Sequence, residues 1–132
     1  MNEVYEFLKK TSVYWLATTE GSQPRVRPFG TIDLFDGKLY IQTGKNKPVS
    51  KQMAANPKIE IGAFDPSTGT WVRIEATAVN DDNIKAKEHM LEAYPMLKER
   101  YSASDENTQV LWLKDATATF SSFTGEPRVI RF

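Results

Sequence analysis

RVRPFGTIDLFDGKLYIQTGKNKPVSK, residues 25–51, holds two strand-like runs joined by Asp36-Gly37 and then a polar loop that runs into a helix start. An Asp-Gly pair between apolar runs is a strong hairpin signal, because both turn positions take positive φ. The loop collects Lys45, Lys47, Ser50 and Lys51, and Pro48 suits the first turn of the helix that follows. Cations and hydroxyls therefore meet fresh backbone donors at one place. Such a place suits an anionic head group, most of all a phosphate.

On the N-terminal side, Asn2 is a candidate cap for a short helix in which Val4, Phe7 and Leu8 form one apolar stripe and Lys9 and Lys10 end the last turn. Val13–Thr19 is a β-branched and aromatic run, and the turn after it closes a first hairpin near Gly21. The reading takes Arg25–Phe35 as one long strand interrupted by Pro28 and Gly30, which mark an edge or a bulge. Lys38–Thr43 is the returning strand, Gly44–Lys47 the loop, and Val49–Ala55 a short helix stopped by Asn56-Pro57.

Further along, Lys58–Phe64 and Thr70–Val79 read as strands around a DPSTG turn. Asn80, Asp81 and Asp82 offer caps for a longer helix with Ala86, Met90, Ala93 and Leu97 on its packing face, kinked or split at Pro95. Gln109–Lys114, Ala116–Phe123 and Pro127–Phe132 give closing strands, with Gly125 at the last turn. So many sequential antiparallel strands need their edges paired or covered, which predicts a mainly β domain with flanking helices, closed or nearly closed into a barrel.

The chain has 132 residues, the size of one domain, and 40% of them are hydrophobic. Seventeen basic and seventeen acidic residues cancel, so no global field gathers polyanions and nucleic acid is not the expected partner. Cysteine is absent, which removes thiol nucleophiles and zinc-thiolate sites and fits a reducing compartment. No segment has the roughly 20 apolar residues of a membrane span, and the first residues lack the apolar run of a signal peptide. The expectation is a soluble cytoplasmic protein without a membrane partner.

Side-chain catalysis has little support. The one histidine, His89, falls inside a predicted helix, and the carboxylates show no metal-ligand spacing. No catalytic residue and no metal site is therefore assigned, and any chemistry falls to a bound cofactor. Arg25 and Arg27, two apart on a strand, leave one face about 7 Å apart and could share a phosphate, although a solvated hairpin face has the same spacing. Lys47 and Lys51 flank Ser50 at the helix start. Thr31, Gln42 and Thr43 could meet the polar edge of a flat ring system, and Trp71 could supply an aromatic wall or simply pack in the core.

Taken together, WLATTEGSQPRVRPFG, DGKLYIQTGKNKPVSKQMAANPKIEIGAF, WVRIEATA and ATATFSSFTGEPRVIRF resemble, in order and spacing, the small flavin-binding split-barrel proteins related to pyridoxamine 5'-phosphate oxidase. The resemblance covers nearly the whole chain. It implies a six-stranded antiparallel split barrel over residues 1–132, a homodimer, and FMN in a groove between the subunits. Carried over by position, it implies that Arg27 contacts the phosphate and that Pro28, Phe29, Gly30, Thr31 and Ile32 lie along the flavin. Gln42 and Thr43 fall at the strand end that touches the cofactor, and Lys47, Ser50 and Lys51 in the phosphate loop, with the choice among these three open. Trp71 falls where a side chain reaches the flavin from the partner subunit. The C-terminal GEPRVIRF lacks the arginine-histidine pair that holds the pyridoxyl substrate in the longer oxidases, so pyridoxamine phosphate is not the expected substrate.

The resemblance thus implies an FMN-dependent oxidoreductase that passes hydride through flavin N5 to or from a small molecule, for which a nitroaromatic, a quinone or a reduced metabolite would each suit. Two other readings stand beside it. One is a carrier or sensor that binds flavin, deazaflavin or haem without turnover. The other is a single-strand nucleic-acid binder using Arg25, Arg27 and the loop lysines, with whichever of Tyr14, Trp15 and Tyr40 are exposed as stacking platforms.

Overall fold

The computed structural model describes residues 1–132. Its first element, α1 (Asn2–Thr11), buries Val4 and Leu8, while Phe7 meets Phe120 edge-on at 5.4 Å between ring centroids. Asn2 is the first helical residue rather than the cap. The cap position belongs to Met1, which makes no side-chain capping bond. Two ion pairs tie the helix down, Lys10 to Asp65 at 2.8 Å and Glu3 to Arg128.

Eight strands follow in place of the expected six: β1 (Tyr14–Glu20), β2 (Gln23–Phe29), β3 (Asp33–Phe35), β4 (Lys38–Gly44), β5 (Lys58–Asp65), β6 (Thr70–Asp81), β7 (Thr108–Ser122) and β8 (Arg128–Arg131). They form one antiparallel sheet in the order β2-β1-β5-β6-β7-β4-β3, with β8 also on β7. β6 occupies one edge of β7 along its length. The other edge is shared, by β4 over Thr108–Trp112 and by β8 over Thr117–Phe120, and the barrel splits between them.

The long strand expected from Arg25 to Phe35 is two strands. β2 pairs with β1 and β3 with β4, at the two ends of the sheet, so the link Gly30–Ile32 is where the chain itself closes the barrel without a ladder. Asp36 and Gly37 both take positive φ, 51° and 72°, as the hairpin turn requires. Conversely, the two strands read on either side of Asp115 are one. Glu75 pairs with Thr117 and Thr77 with Lys114, so Asp115 and Ala116 face a single residue as a β-bulge, with Asp115 at φ 51°.

Helix α2 (Pro48–Ala55) starts where the proline places it. Helix α3 (Ile84–Ala93) is capped by Asn83, whose side chain accepts from the Lys85 N–H, one residue beyond the expected caps; Asp81 and Asn80 belong to β6. Pro95 does split this region, opening a 3₁₀ helix at Pro95–Glu99. Ala93 is exposed and leaves the packing to Ala86 and Met90, with Leu97 packed beside them.

The barrel interior alternates as strands should. Tyr14, Leu16 and Thr18 of β1 and Ile59, Ile61 and Ala63 of β5 point inward and are buried, and cutting Leu16 or Ile61 to alanine would cost about 2–5 kcal/mol. The opposite face carries Trp15, Val26 and Phe64, all exposed, and the half-buried Trp71.

Candidate functional site

The link Gly30–Ile32 is held from three sides. The Tyr14 hydroxyl donates to the Thr31 carbonyl at 2.5 Å, and burial raises the Tyr14 phenol well above its usual range, so it stays a neutral donor. The Thr31 hydroxyl accepts from the Gln42 N–H at 3.1 Å, joining the link to β4. The Tyr94 hydroxyl accepts from the Ile32 N–H and donates to the Ile32 carbonyl, both at 3.1 Å, joining it to the end of α3.

Beside this link lies a cavity of about 510 Å³, within the usual range for small-molecule and cofactor sites. One wall is Arg27, Pro28, Phe29, Gly30 and Thr31; a second is Gln42, Thr43, Lys47 and Val49. The third, which sequence reading missed, is Tyr94, Met96, Leu97, Glu99, Arg100 and Tyr101. In the sequence, Leu97 reads only as part of a packing face and Pro95 as a kink or split in the helix. The aromatic and cationic side chains around Pro95 were the available signal.

Arg27 extends over α2. Its guanidinium donates to the Leu16 carbonyl at 3.0 Å and to the Gln52 side-chain oxygen at 2.5 Å, an oxygen that also accepts from Thr18. Burial, and secondarily the charge of Arg25, lowers the Arg27 pKa from its usual value, so this cation is already partly stripped of water. Thr43 is only 4% exposed and lines the cavity, and its hydroxyl makes no hydrogen bond within the chain. Where a side chain on Gly30 would begin, only the Ser12 carbonyl at 3.8 Å stands near, so packing within the chain leaves the surface there bare. Lys47 is the N-cap residue of α2, whose start no side chain caps.

Five of the expected residues are not brought to this cavity. Arg25 turns to Glu20 at 2.9 Å on the exposed hairpin, so the two strand arginines do not form one clamp. Ile32 is buried in the core, and Lys51 is exposed and outside the cavity lining. Ser50 is buried and donates to Gln109 at 2.6 Å, because its position on α2 faces β7. Trp71 stacks obliquely on Phe123, centroids 5.1 Å apart, on the outer face of the sheet and not against this chain's own cavity.

His89 lies outside the cavity lining and holds the buried Asp33 carboxylate at 2.6 Å, with the Phe35 ring 4.9 Å away. No group of three or more His, Asp or Glu side chains is placed to hold a metal ion. Of the three aromatic rings considered as stacking platforms, Tyr14 and Tyr40 are buried and only Trp15 is exposed. Arg25 and Lys45 are engaged by Glu20 and Asp82.

A family model described as pyridoxamine 5'-phosphate oxidase matches residues 1–122, most of the chain. The chain belongs to the pyridoxamine 5'-phosphate oxidase family. Among solved structures, it is similar to a NimC/NimA family protein from Clostridium acetobutylicum, with 43% identity over all of this chain and 92% of that one and a TM-score of 0.95. At lower identity the fold alone is shared. A pyridoxamine 5'-phosphate oxidase-related, FMN-binding protein from Nostoc punctiforme has 14% identity over 98% of this chain and 92% of that one, TM-score 0.65. A heme binding protein from Mycobacterium smegmatis has 19% identity over 96% of this chain and 57% of that one, TM-score 0.69. No curated protein matches the chain. Membership of the pyridoxamine 5'-phosphate oxidase family accords with the split antiparallel barrel and its flanking helices, and no helix is long and apolar enough to cross a membrane.

Proposed function

We propose that this protein is an FMN-binding oxidoreductase of the pyridoxamine 5'-phosphate oxidase family, acting as a cytoplasmic homodimer on a small molecule. The observation that carries the reading is the cavity in which Arg27 and Lys47, from different elements, share a space with the bare backbone at Gly30 and the unpartnered Thr43 hydroxyl. Arg27 and Lys47 would hold the phosphate, Pro28–Thr31 would lie along the ring system, and Gln42 and Thr43 would meet its polar edge. When bound, the flavin supplies hydride transfer at N5. The chain's own groups orient the ring, exclude water from one side of it and set the charge around it.

The outer face of the sheet supports the dimer. Trp15, Val26 and Phe64 expose apolar surface side by side on β1, β2 and β5, with Trp71 next to Phe64 across the β5–β6 ladder. A contiguous apolar face of this kind calls for a cover, and a second copy would bring its Trp71 toward this chain's cofactor groove.

The test is the absorption spectrum of the purified protein, with release of the chromophore on denaturation. A flavin spectrum supports the reading, and a colourless protein that takes up no added FMN refutes it. A second reading, a flavin carrier without turnover, draws support from the cavity's lack of a free proton-transferring histidine, since His89 is held by Asp33 away from the lining. Turnover of NADH or NADPH with a panel of nitroaromatic and quinone acceptors separates the two.

A further inference from the structure

We infer that Asn107, which lies outside the cavity lining, is a positioning residue: it clasps the backbone of the loop Gly44–Lys47 and so presents Lys47 to the phosphate of the cofactor. The inference rests on the FMN reading above and goes beyond it, because it gives the placement of one cavity cation to a residue of a different loop.

Lys45, Asn46 and Lys47 follow the end of β4 as a tight turn, and each of their N–H groups has a partner. Lys45 donates to the Asn107 carbonyl at 2.7 Å, Asn46 to the Asn107 side-chain oxygen at 3.0 Å, and Lys47 back to the Gly44 carbonyl at 3.0 Å. One residue thus takes two successive donors of the turn, the first with its backbone and the second with its side chain. Asn107 is itself fixed. Its N–H donates to Asp105 at 2.9 Å, and the next residue, Thr108, pairs with Gly44 at the end of the β4–β7 ladder. β4 makes room for the clasp by ending in glycine, where a Cβ would meet the Asn46 and Asn107 side-chain amides at 2.9 and 3.2 Å.

The two lysines of the turn have different fates. Lys45 pairs with Asp82 at 3.1 Å, whereas the Lys47 ammonium makes no ion pair within the chain and lines the cavity. The Lys47 carbonyl also accepts from the Ser50 N–H at 3.1 Å, so any shift of the turn moves the start of α2 with it. A lysine is a point charge on a flexible stem, and its hold on a phosphate depends on where its backbone is kept. With the turn set in advance, the phosphate meets a cation whose backbone is already ordered; without the Asn46–Asn107 bond, that ordering has to occur on binding and weakens it. The ring system, lying along Pro28–Thr31, does not depend on this turn. The clasp therefore acts on the phosphate end of the ligand alone.

The experiment titrates the full-length protein, freed of flavin, with FMN and with riboflavin, which has the same ring system without the phosphate, and reads the quenching of flavin fluorescence. Asn107→Ala should weaken FMN binding about tenfold and change riboflavin binding by less than about twofold. The side chain makes this one hydrogen bond at a partly exposed position, and the Lys45 N–H keeps its backbone acceptor, so the variant folds. Introduced into Lys47→Ala, the same substitution should weaken FMN binding by less than about twofold more, because the residue it positions is gone. Equal losses for FMN and riboflavin mark a general structural role and overturn the inference. Unchanged FMN affinity in Asn107→Ala, or full additivity with Lys47→Ala, overturns it as well. In each of these cases wild type still binds FMN and the cofactor reading stands, whereas a wild type that binds no FMN overturns both.

Discussion

The Tyr94 hydroxyl sits 3.1 Å from both the N–H and the carbonyl of Ile32, accepting from one and donating to the other. One side chain at the end of α3 therefore takes the place of a missing strand partner at the point where the barrel has no ladder. It also carries the Lys9 ammonium over its ring, 4.9 Å from the centroid, so α1, α3 and the β2–β3 link meet on a single residue. Tyr94→Phe keeps the ring contacts and leaves two backbone groups unpaired, which should destabilise the fold by about 1–3 kcal/mol. Urea denaturation measures the loss, and faster amide exchange at Ile32 locates it.

Arg27→Ala combined with Lys47→Ala should weaken FMN binding by about 2–5 kcal/mol, roughly 30-fold to several thousand-fold in Kd, since each charged hydrogen-bonding partner contributes about 1.5–3 with some overlap. Isothermal titration with FMN gives the number. Unchanged affinity would mean that the phosphate lies elsewhere.

Asp105 anchors the loop that follows the third cavity wall. Burial pushes its carboxyl up, but the N–H groups of Thr108, Ser102 and Asn107 and the Thr108 hydroxyl more than offset this and hold its pKa at about 2. A carboxyl lowered on folding contributes stability above its unfolded pKa of about 3.9, and that contribution is lost as pH falls from there toward the folded value. Melting temperature should therefore drop between pH 4 and 2 more steeply in wild type than in Asp105→Asn. At neutral pH the variant should be less stable by about 1 kcal/mol, with exchange at Asn107 and Thr108 accelerated.

Trp15→Glu places a charge in the middle of the exposed apolar face, where it faces Pro28 on β2 and Gly62 on β5. Sedimentation velocity should show a dimer for the wild type and a monomer for the variant, with flavin affinity reduced at least tenfold if the groove needs both copies. A monomeric protein that still binds flavin tightly would exclude an interface site.

Where the chemistry of a residue is local, the sequence announces it. Asp36-Gly37 makes its turn because few other pairs accept positive φ twice, and Pro48 starts α2 because its ring presets the first helical φ. Arg27, Lys47, Gln42 and Thr43 could be named in advance for the same reason: their donors and their place at a strand end or helix start are written in the chain. Asp115 shows the limit of that legibility. It falls between two strand readings, and only pairing with β6 makes it a bulge within one strand instead of a break between two.

What the amino-acid sequence determined by itself is therefore the mainly β character, the hairpin turns, the family and one half of the cavity. Tertiary structure decided which cations share a space and which do not. Arg25 and Arg27 leave the strand on the same face, yet Glu20 captures the first while α2 draws the second inward. Ser50 and Lys51 adjoin in sequence, but one helical step turns one toward Gln109 and leaves the other in solvent. Arg100 reaches the cavity only because Pro95 folds its segment back over β4, more than fifty residues away along the chain. Contacts of that range depend on packing and not on spacing, since no local pattern records which distant surface a side chain will meet.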